Sequence, residues 1–307
     1  METSSVKFIN IQSACCTGGS AVGDWVSGFE DIFYLALEFG TVPNYGCNFC
    51  DYLISNRYKL SNELMNILKQ GVEKACFYCD SRQCANPTTQ CNEPYTKKQT
   101  EMMKAGLLSV SENLLQKLHS LNSARSFSSK IIKRFSVLRR VAVRRMMKAF
   151  FIDFVHIFSN GQPFVTINFF SNNRQQLFTK YSQFFDDLRM IFITRDPRDT
   201  FTSWEKHGWI SDEEVERFIA HYKNAHADYP YNDDRILGVR FEDFVLTHEE
   251  TSQKILNFIG ISKNSRIPNH RYKLEYSRKN IGKWKSYPNQ NIMEKIATEL
   301  KGHLYET

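Results

Sequence analysis

Apolar residues along the chain fall into two patterns, short uninterrupted runs and longer stretches with helical spacing. The uninterrupted runs predict four buried strands, at Val6 to Ala14, Pro163 to Phe169, Leu188 to Thr194 and Arg235 to Arg240. The helical spacing predicts helices at residues 21–39, 174–187, 197–206, 212–227, 248–259 and 291–304. Strands that alternate with helices are typical of an α/β fold in which helices flank a parallel sheet.

Residues 41–155 break this alternation, because they hold most of the cysteines and then long helical patterns. We interpret them as a large helical insertion between the first and second strands of the sheet. A chain of 307 residues is long enough for one α/β domain with such an insertion. The sequence therefore predicts a single domain over residues 1–307.

The first part of the insertion contains two C-x-x-C pairs, Cys47 with Cys50 and Cys76 with Cys79. Two such pairs in a reducing compartment are typical of a structural zinc site with four thiolate ligands. Free thiols explain the same cysteines equally well, and disulfides become the better explanation if the protein is exported.

The second part of the insertion is rich in Lys and Arg and contains no acidic residue from Arg125 to Lys148. Apolar residues recur there at helical spacing, which predicts a basic amphipathic helix with an apolar stripe formed by Ile131, Phe135, Leu138, Ala142, Met146 and Ala149. Its basic face is either simply solvated, or it binds an anionic glycan, or it contacts an anionic membrane surface through residues 125–149.

The charge of the whole chain favours an anionic partner. The formal net charge is +7 and the sequence pI is about 8.9, yet no nucleic-acid-binding motif is present. No run of 18 apolar residues occurs, and the first ten residues lack the features of a secretion signal. We expect a cytoplasmic protein, in contact with a membrane at most at its periphery.

The most informative segment runs from Leu188 to Trp204. An apolar strand ends at the turn R-D-P-R-D, and a helix begins at Pro197. Arg195 lies at the carboxyl end of the strand, where open α/β sheets bind ligands, and Ser203 lies two helical turns further on. A guanidinium and a hydroxyl directed at one point are suited to a phosphate monoester.

Two further segments are suited to binding phosphates. The loop Cys15 to Ser20 joins the first strand to a helix, and its paired glycines allow a ligand to approach the amides at the helix start. The segment Ser277 to Lys285 combines Arg278 and Lys279 with a later Gly-Lys-Trp-Lys.

In this order, the three segments resemble the nucleotide-binding motifs of sulfotransferases that use 3′-phosphoadenosine 5′-phosphosulfate (PAPS). The resemblance covers residues 6–40 and about 160–290, and it implies a P-loop NTPase-like α/β fold. It also implies transfer of a sulfuryl group from PAPS to a hydroxyl or amine, with adenosine 3′,5′-bisphosphate as product. The residues that it implies for the nucleotide are Thr17, Gly18, Gly19, Ser20, Ala21, Arg195, Ser203, Phe241, Arg278, Lys279 and Asn280.

The chain departs from this family at two points. Thr17 stands where the family has a Lys or Arg in the loop, so either another cation replaces it, or the loop amides suffice, or the protein is not catalytic. No His follows the second predicted strand, which leaves Asp24 and His207 as candidates for the general base.

Three functions remain open from the sequence. The first is a sulfotransferase whose acceptor is a carbohydrate or glycolipid, since the large basic insertion suits an anionic glycan. The second is an inactive member of the family that binds a nucleotide or glycan. A P-loop kinase is disfavoured, because the chain contains no G-x-x-x-x-G-K-[ST] motif.

Overall fold

A computed structural model describes most of the α/β core and part of the insertion. The described residues are 7–13, 16–38, 105–106, 109–110, 112–117, 120, 132–159, 163–168, 178, 182–227, 232–267 and 272–306.

The sheet has five parallel strands among these residues, in the order β2-β3-β1-β4-β5. The strands are β1 (Lys7–Ser13), β2 (Ile32–Glu38), β3 (Phe164–Asn168), β4 (Leu188–Thr194) and β5 (Ile236–Arg240). Helices flank this sheet, so the predicted P-loop NTPase-like α/β fold is confirmed. The strand after β1 lies toward one edge of the sheet and the strand after β4 lies toward the other edge. In open α/β sheets, ligands bind at the carboxyl ends of two such neighbouring strands, so the site is expected at the ends of β1 and β4.

The prediction of one long helix over residues 21–39 is wrong. The helix α1 covers only Gly19–Val26, and β2 follows after a turn at Ser27 and Gly28. Residues 32–36 are aromatic or aliphatic, and such a run fits a strand as well as a helix. Parallel pairing with β3 settles the conformation, and this tertiary interaction is not visible in the local sequence.

Close to the predicted positions lie α2 (Ile132–Ser159), α3 (Pro197–Lys206), α4 (Val215–His226), α6 (His248–Ile259) and α8 (Gln290–Glu299). The described residues also form two short helices that the sequence pattern does not predict, α5 (Phe241–Leu246) and α7 (Leu274–Arg278). Of the predicted helix 174–187, the described residues are Phe178, which is helical, and residues 182–187, which contain a 3-10 turn at Ser182–Phe184.

Each face of the sheet packs against its own set of helices. On one face, residues such as Ile9 and Ile191 pack with Trp25 of α1 and Leu256 of α6. A second cluster joins α3, α4 and α8, and Phe192 of β4 contacts α4 through His226. The two layers hold the ends of β1 and β4 in fixed positions, which is where the candidate site lies.

The insertion follows β2, and not the first strand of the sheet as predicted, because β2 precedes residue 41. The predicted basic helix is present as α2, but its apolar stripe is partly misassigned: Leu138 is 64% exposed, whereas Val143 and Met147 are buried. None of the described helices is long and apolar enough to cross a bilayer. The division of the chain into one domain and an insertion stays a prediction.

We expect the stability of the fold to fall as the pH drops from about 6.5 toward 4, because His226 is buried against Tyr222. Burial lowers the pKa of His226 to about 4. The unfolded chain therefore binds a proton in this window that the folded chain does not, and folding weakens. The free energy of unfolding in urea should fall from pH 7.5 to pH 5.5 by about 1 kcal/mol more in wild type than in His226→Phe. This variant keeps an aromatic ring in place but has no group that titrates there. Equal pH dependence in the two proteins would contradict this assignment.

Candidate nucleotide-binding site

Arg195 lies at the carboxyl end of β4 and is only 3% exposed. Its Nη1 donates to the carbonyl of Cys16 at 2.7 Å and to Ser203 Oγ at 3.0 Å, and its Nη2 donates to the carbonyl of Asn280. The guanidinium therefore joins the loop after β1, the helix α3 and the segment near residue 280. Three stretches that are distant in sequence meet at this one group.

The start of α3 fixes Ser203 relative to Arg195. Asp196 caps the helix by accepting from the amide of Arg198, and Pro197 occupies the first turn, where its missing N–H costs nothing. Ser203 is two turns further along, so it lies on the face that points back toward Arg195. Its hydroxyl donates to the carbonyl of Asp199 at 2.9 Å, and its oxygen accepts from Arg195.

The loop after β1 reaches the start of α1 through a glycine with φ of +95°, Gly18. A Cβ at Gly18 would approach the ring of Phe241 to 2.2 Å, and a Cβ at Gly19 would approach Ser13 Oγ to the same distance. Only glycine fits at these two positions, which keeps the backbone close to its neighbours. The first amides of α1, at Gly19 and Ser20, precede the first intrahelical hydrogen bond and suit an anion, whereas the amide of Ala21 donates to the carbonyl of Gly18 at 3.1 Å.

Thr17 contributes no charge to this loop and is fully buried. Its hydroxyl donates to the carbonyl of Ile193 at 3.3 Å, which fastens the loop to the neighbouring strand β4. The residue at the family's cation position therefore has a structural contact with the sheet.

The segment 277–286, which we call the strap, is fastened to α3 by Asp199. The carboxylate of Asp199 accepts from the amides of Gly282 at 2.7 Å and Trp284 at 3.1 Å. The guanidinium of Arg198 stacks over the Trp284 ring at 3.7 Å. These contacts hold the strap over the start of α3 and bring the Asn280 carbonyl to Arg195.

Phe241 forms an apolar wall of the same site. It begins α5, is 2% exposed and lies against Gly18, with the Arg195 guanidinium 5.3 Å from its ring centre. The adjacent Glu242 accepts from the amide of Asp196 at 2.8 Å, and this bond locks α5 to the R-D-P-R-D turn.

Burial dominates the electrostatics of these groups. It lowers the pKa of Arg195, against the opposing effect of Asp199 and Glu242. It also raises the pKa of Asp199 and Glu242. Burial alone would raise the pKa of Asp196 as well, but hydrogen bonds from Arg198 and from the amide of Tyr305 lower it.

The donor implied by the sequence resemblance, PAPS, carries a phosphate on its ribose and a phosphosulfate at its 5′ end, and the residues present fit both groups. The Nε of Arg195 is buried and has no hydrogen-bond partner among the described residues, so this cation has unused donor capacity beside Ser203. The glycine loop and the first turn of α1 supply backbone N–H groups for a second anion.

The remaining predicted site residues lie at different distances from this cluster. Arg278 and Lys279 are exposed on the strap, and Ser20 is exposed in the first turn of α1. Asp24 is partly buried on α1, and His207 follows α3 with its ring stacked on Trp209 at 4.9 Å. No described hydrogen bond connects the side chain of Asp24 or His207 to Arg195, and their role as base stays a prediction.

Sequence reasoning missed Asp199 and Tyr222 as supports of the site. Asp199 is the second Asp of R-D-P-R-D, and its spacing of four residues from Ser203 places both on one helix face. Tyr222 of α4 donates to the carbonyl of Arg195 at 2.5 Å, a contact between distant segments that no local pattern indicates.

The predicted zinc ligands Cys47, Cys50, Cys76 and Cys79 lie outside the described residues, so the zinc site stays a prediction. Within the described part of the chain, no three His, Cys, Asp or Glu side chains are grouped so that they could hold a metal ion.

A family model matches the part of the chain that carries Arg195. The family model for the sulfotransferase family matches residues 141–265, which include β4, the R-D-P-R-D turn, α3 and Phe241. No curated protein matches the chain in sequence.

Three solved structures with low identity are similar to the chain. The sulfotransferase domain of the Synechococcus olefin synthase is 13% identical with a TM-score of 0.49, over 98% of this chain and 95% of that one. The sulfotransferase domain of the curacin biosynthetic pathway is 11% identical with a TM-score of 0.40, over 99% and 100%. A sulfotransferase from Mycobacterium avium is 10% identical with a TM-score of 0.41, over 98% and 76%.

Proposed function

We propose, from the premise that this chain belongs to the sulfotransferase family, that it transfers a sulfuryl group from PAPS to a hydroxyl or amine of an acceptor. The observation that carries the proposal is the meeting of Arg195, Ser203, the glycine loop and the strap at the ends of β1 and β4. A buried guanidinium beside a hydroxyl and a helix N-terminus suits a nucleotide with two separate anionic groups.

When bound, the donor supplies the activated sulfuryl group. Arg195 and Ser203 hold the 3′-phosphate, and the amides of Gly19 and Ser20 face the charge that develops on the 5′-phosphate. Phe241 supports the nucleotide through its apolar ring. Positioning and charge stabilisation of this kind contribute most of the rate enhancement in comparable group transfers.

The transfer forms a bond from the acceptor oxygen or nitrogen to sulfur and breaks the bond from sulfur to the bridging oxygen of the 5′-phosphate. The electron pair of the broken bond stays on adenosine 3′,5′-bisphosphate, and the acceptor loses a proton to a base. Asp24 and His207 are our candidates for that base, as a carboxylate and an imidazole respectively.

For the acceptor we propose a carbohydrate or glycolipid with anionic character. The support comes from α2, whose exposed residues include Arg140 and Arg145 beside the exposed Leu138 and Val141. Cations next to apolar side chains suit a charged glycan or the headgroup layer of a membrane. Action in the cytoplasm belongs to the same proposal.

A second candidate is a family member that binds a nucleotide without catalysis. Thr17 favours it, because this uncharged, buried residue occupies the loop position where catalytic relatives have a cation. Loss of that cation would leave the bridging oxygen to the backbone amides of α1 alone.

Incubation with PAPS labelled at sulfur tests both candidates, with sulfated and unsulfated glycans, glycolipids and arylamines as acceptors. We expect label to move to at least one carbohydrate acceptor. Tight binding of adenosine 3′,5′-bisphosphate without transfer to any acceptor class would support the binding module. Absence of both binding and transfer would refute the nucleotide site itself.

A further inference from the structure

The strap contains four cations, and one of them differs from the others in its surroundings. Arg278, Lys279 and Lys285 are exposed, whereas Lys283 is half-buried. The ammonium groups of Lys279 and Lys285 lie 5.5 and 5.9 Å from the ring centres of Tyr276 and Trp284, at the surface of the strap.

The ammonium of Lys283 instead donates to the side-chain oxygen of Asn280. The backbone oxygen of the same Asn280 accepts from Arg195 Nη2. Two cations from distant parts of the chain thus meet on the two oxygens of one residue. The two oxygens of Asn280 therefore lie where two oxygens of a phosphate group would bind between a guanidinium and an ammonium.

The position of Lys283 is fixed by its neighbours on both sides. The amides of Gly282 and Trp284 bond to the carboxylate of Asp199, so the backbone of Lys283 is held over the first turns of α3. Burial, and then the nearby Arg195 and Lys206, lower the pKa of Lys283. Cations that lie close enough to disfavour one another's charge are typical of an anion-binding site.

We propose that Lys283 is a further phosphate-binding residue, which contacts the same 3′-phosphate as Arg195 and replaces its contact with Asn280 by one with the ligand. This assignment rests on the proposed function. It adds a third basic residue of the strap to Arg278 and Lys279, which the sequence resemblance implies for the nucleotide.

The test is calorimetric titration of the full chain with adenosine 3′,5′-bisphosphate and with adenosine 5′-monophosphate. Lys283→Met should weaken binding of the bisphosphate about tenfold, because it removes one charged hydrogen bond, and leave binding of the monophosphate unchanged. The matched control Lys285→Met removes the same charge from the same strap and should leave both affinities unchanged. Lys283→Arg should keep affinity for the bisphosphate within about threefold of wild type, and thermal unfolding checks that each variant is folded.

The assignment would be overturned if Lys283→Met bound the bisphosphate with unchanged affinity, or if it lost affinity equally for both nucleotides. It would also be overturned if Lys285→Met lost as much affinity for the bisphosphate as Lys283→Met. Failure of the proposed nucleotide site is seen separately, because wild type would then not bind the bisphosphate at all. If wild type binds and Arg195→Met does not, while Lys283→Met binds normally, only the role of Lys283 is wrong.

Discussion

Substitution of Arg195 by Met should reduce affinity for adenosine 3′,5′-bisphosphate by about 30-fold or more, because truncation of a buried charged partner costs about 2 kcal/mol or more. The guanidinium is 3% exposed, donates to Ser203 Oγ and has an Nε without a partner among the described residues, so it offers donors to the phosphate from a fixed position. Affinity for adenosine 5′-monophosphate should fall much less, because that ligand lacks the 3′-phosphate. Titration with the two nucleotides measures both effects.

Two variants separate a lost ligand contact from a damaged fold. Arg195→Lys keeps a charge but not the planar pair of donors, so it should recover part of the lost affinity. Arg217→Met removes an exposed arginine of α4 and should bind both nucleotides as wild type does. Equal loss of affinity for the two nucleotides in Arg195→Met would mean that Arg195 supports the fold without reading the 3′-phosphate.

Substitution of Gly18 by Ala should destabilise the protein by about 2–4 kcal/mol and weaken nucleotide binding at least tenfold. The new Cβ would lie 2.2 Å from a ring carbon of Phe241, at a φ of +95° that side chains rarely adopt. Relief of this clash must move either the loop or Phe241, and both line the proposed site. Urea unfolding and titration with adenosine 3′,5′-bisphosphate measure the two losses.

The matched control for this substitution is Gly208→Ala. Gly208 also has a left-handed backbone, with φ of +69°, but a Cβ there would meet nothing within 4 Å. It should cost about 1 kcal/mol from backbone strain alone and leave binding unchanged. Similar losses in the two variants would show that strain, and not the approach of the loop to Phe241, makes Gly18 necessary.

The sequence predicts the strand and helix that carry Arg195 because every local signal there agrees. An apolar run, a charged turn, Pro197 and a helical pattern occur in the order that the structure shows. The same agreement holds for the glycine loop, where Gly18 adopts the left-handed conformation that its position requires. These elements are determined by their own residues, so they can be identified without knowledge of tertiary contacts.

The strand β2 and the supports of the site could not be predicted in this way. The run from Ile32 becomes a strand through its pairing with β3, whose residues lie more than a hundred positions away. The bonds from Asp199 to the strap and from Tyr222 to Arg195 also join distant segments. Polar contacts of this kind depend on where elements pack, and single-sequence patterns do not contain that information.

A crystal structure of the protein with adenosine 3′,5′-bisphosphate tests the central claim most directly. We predict that the 3′-phosphate lies within hydrogen-bond distance of the Arg195 guanidinium and Ser203 Oγ, and that the Asn280 carbonyl has moved away from Nη2. The 5′-phosphate should lie at the first turn of α1. A nucleotide bound elsewhere, with Arg195 still donating to Asn280 and Cys16, would contradict the account.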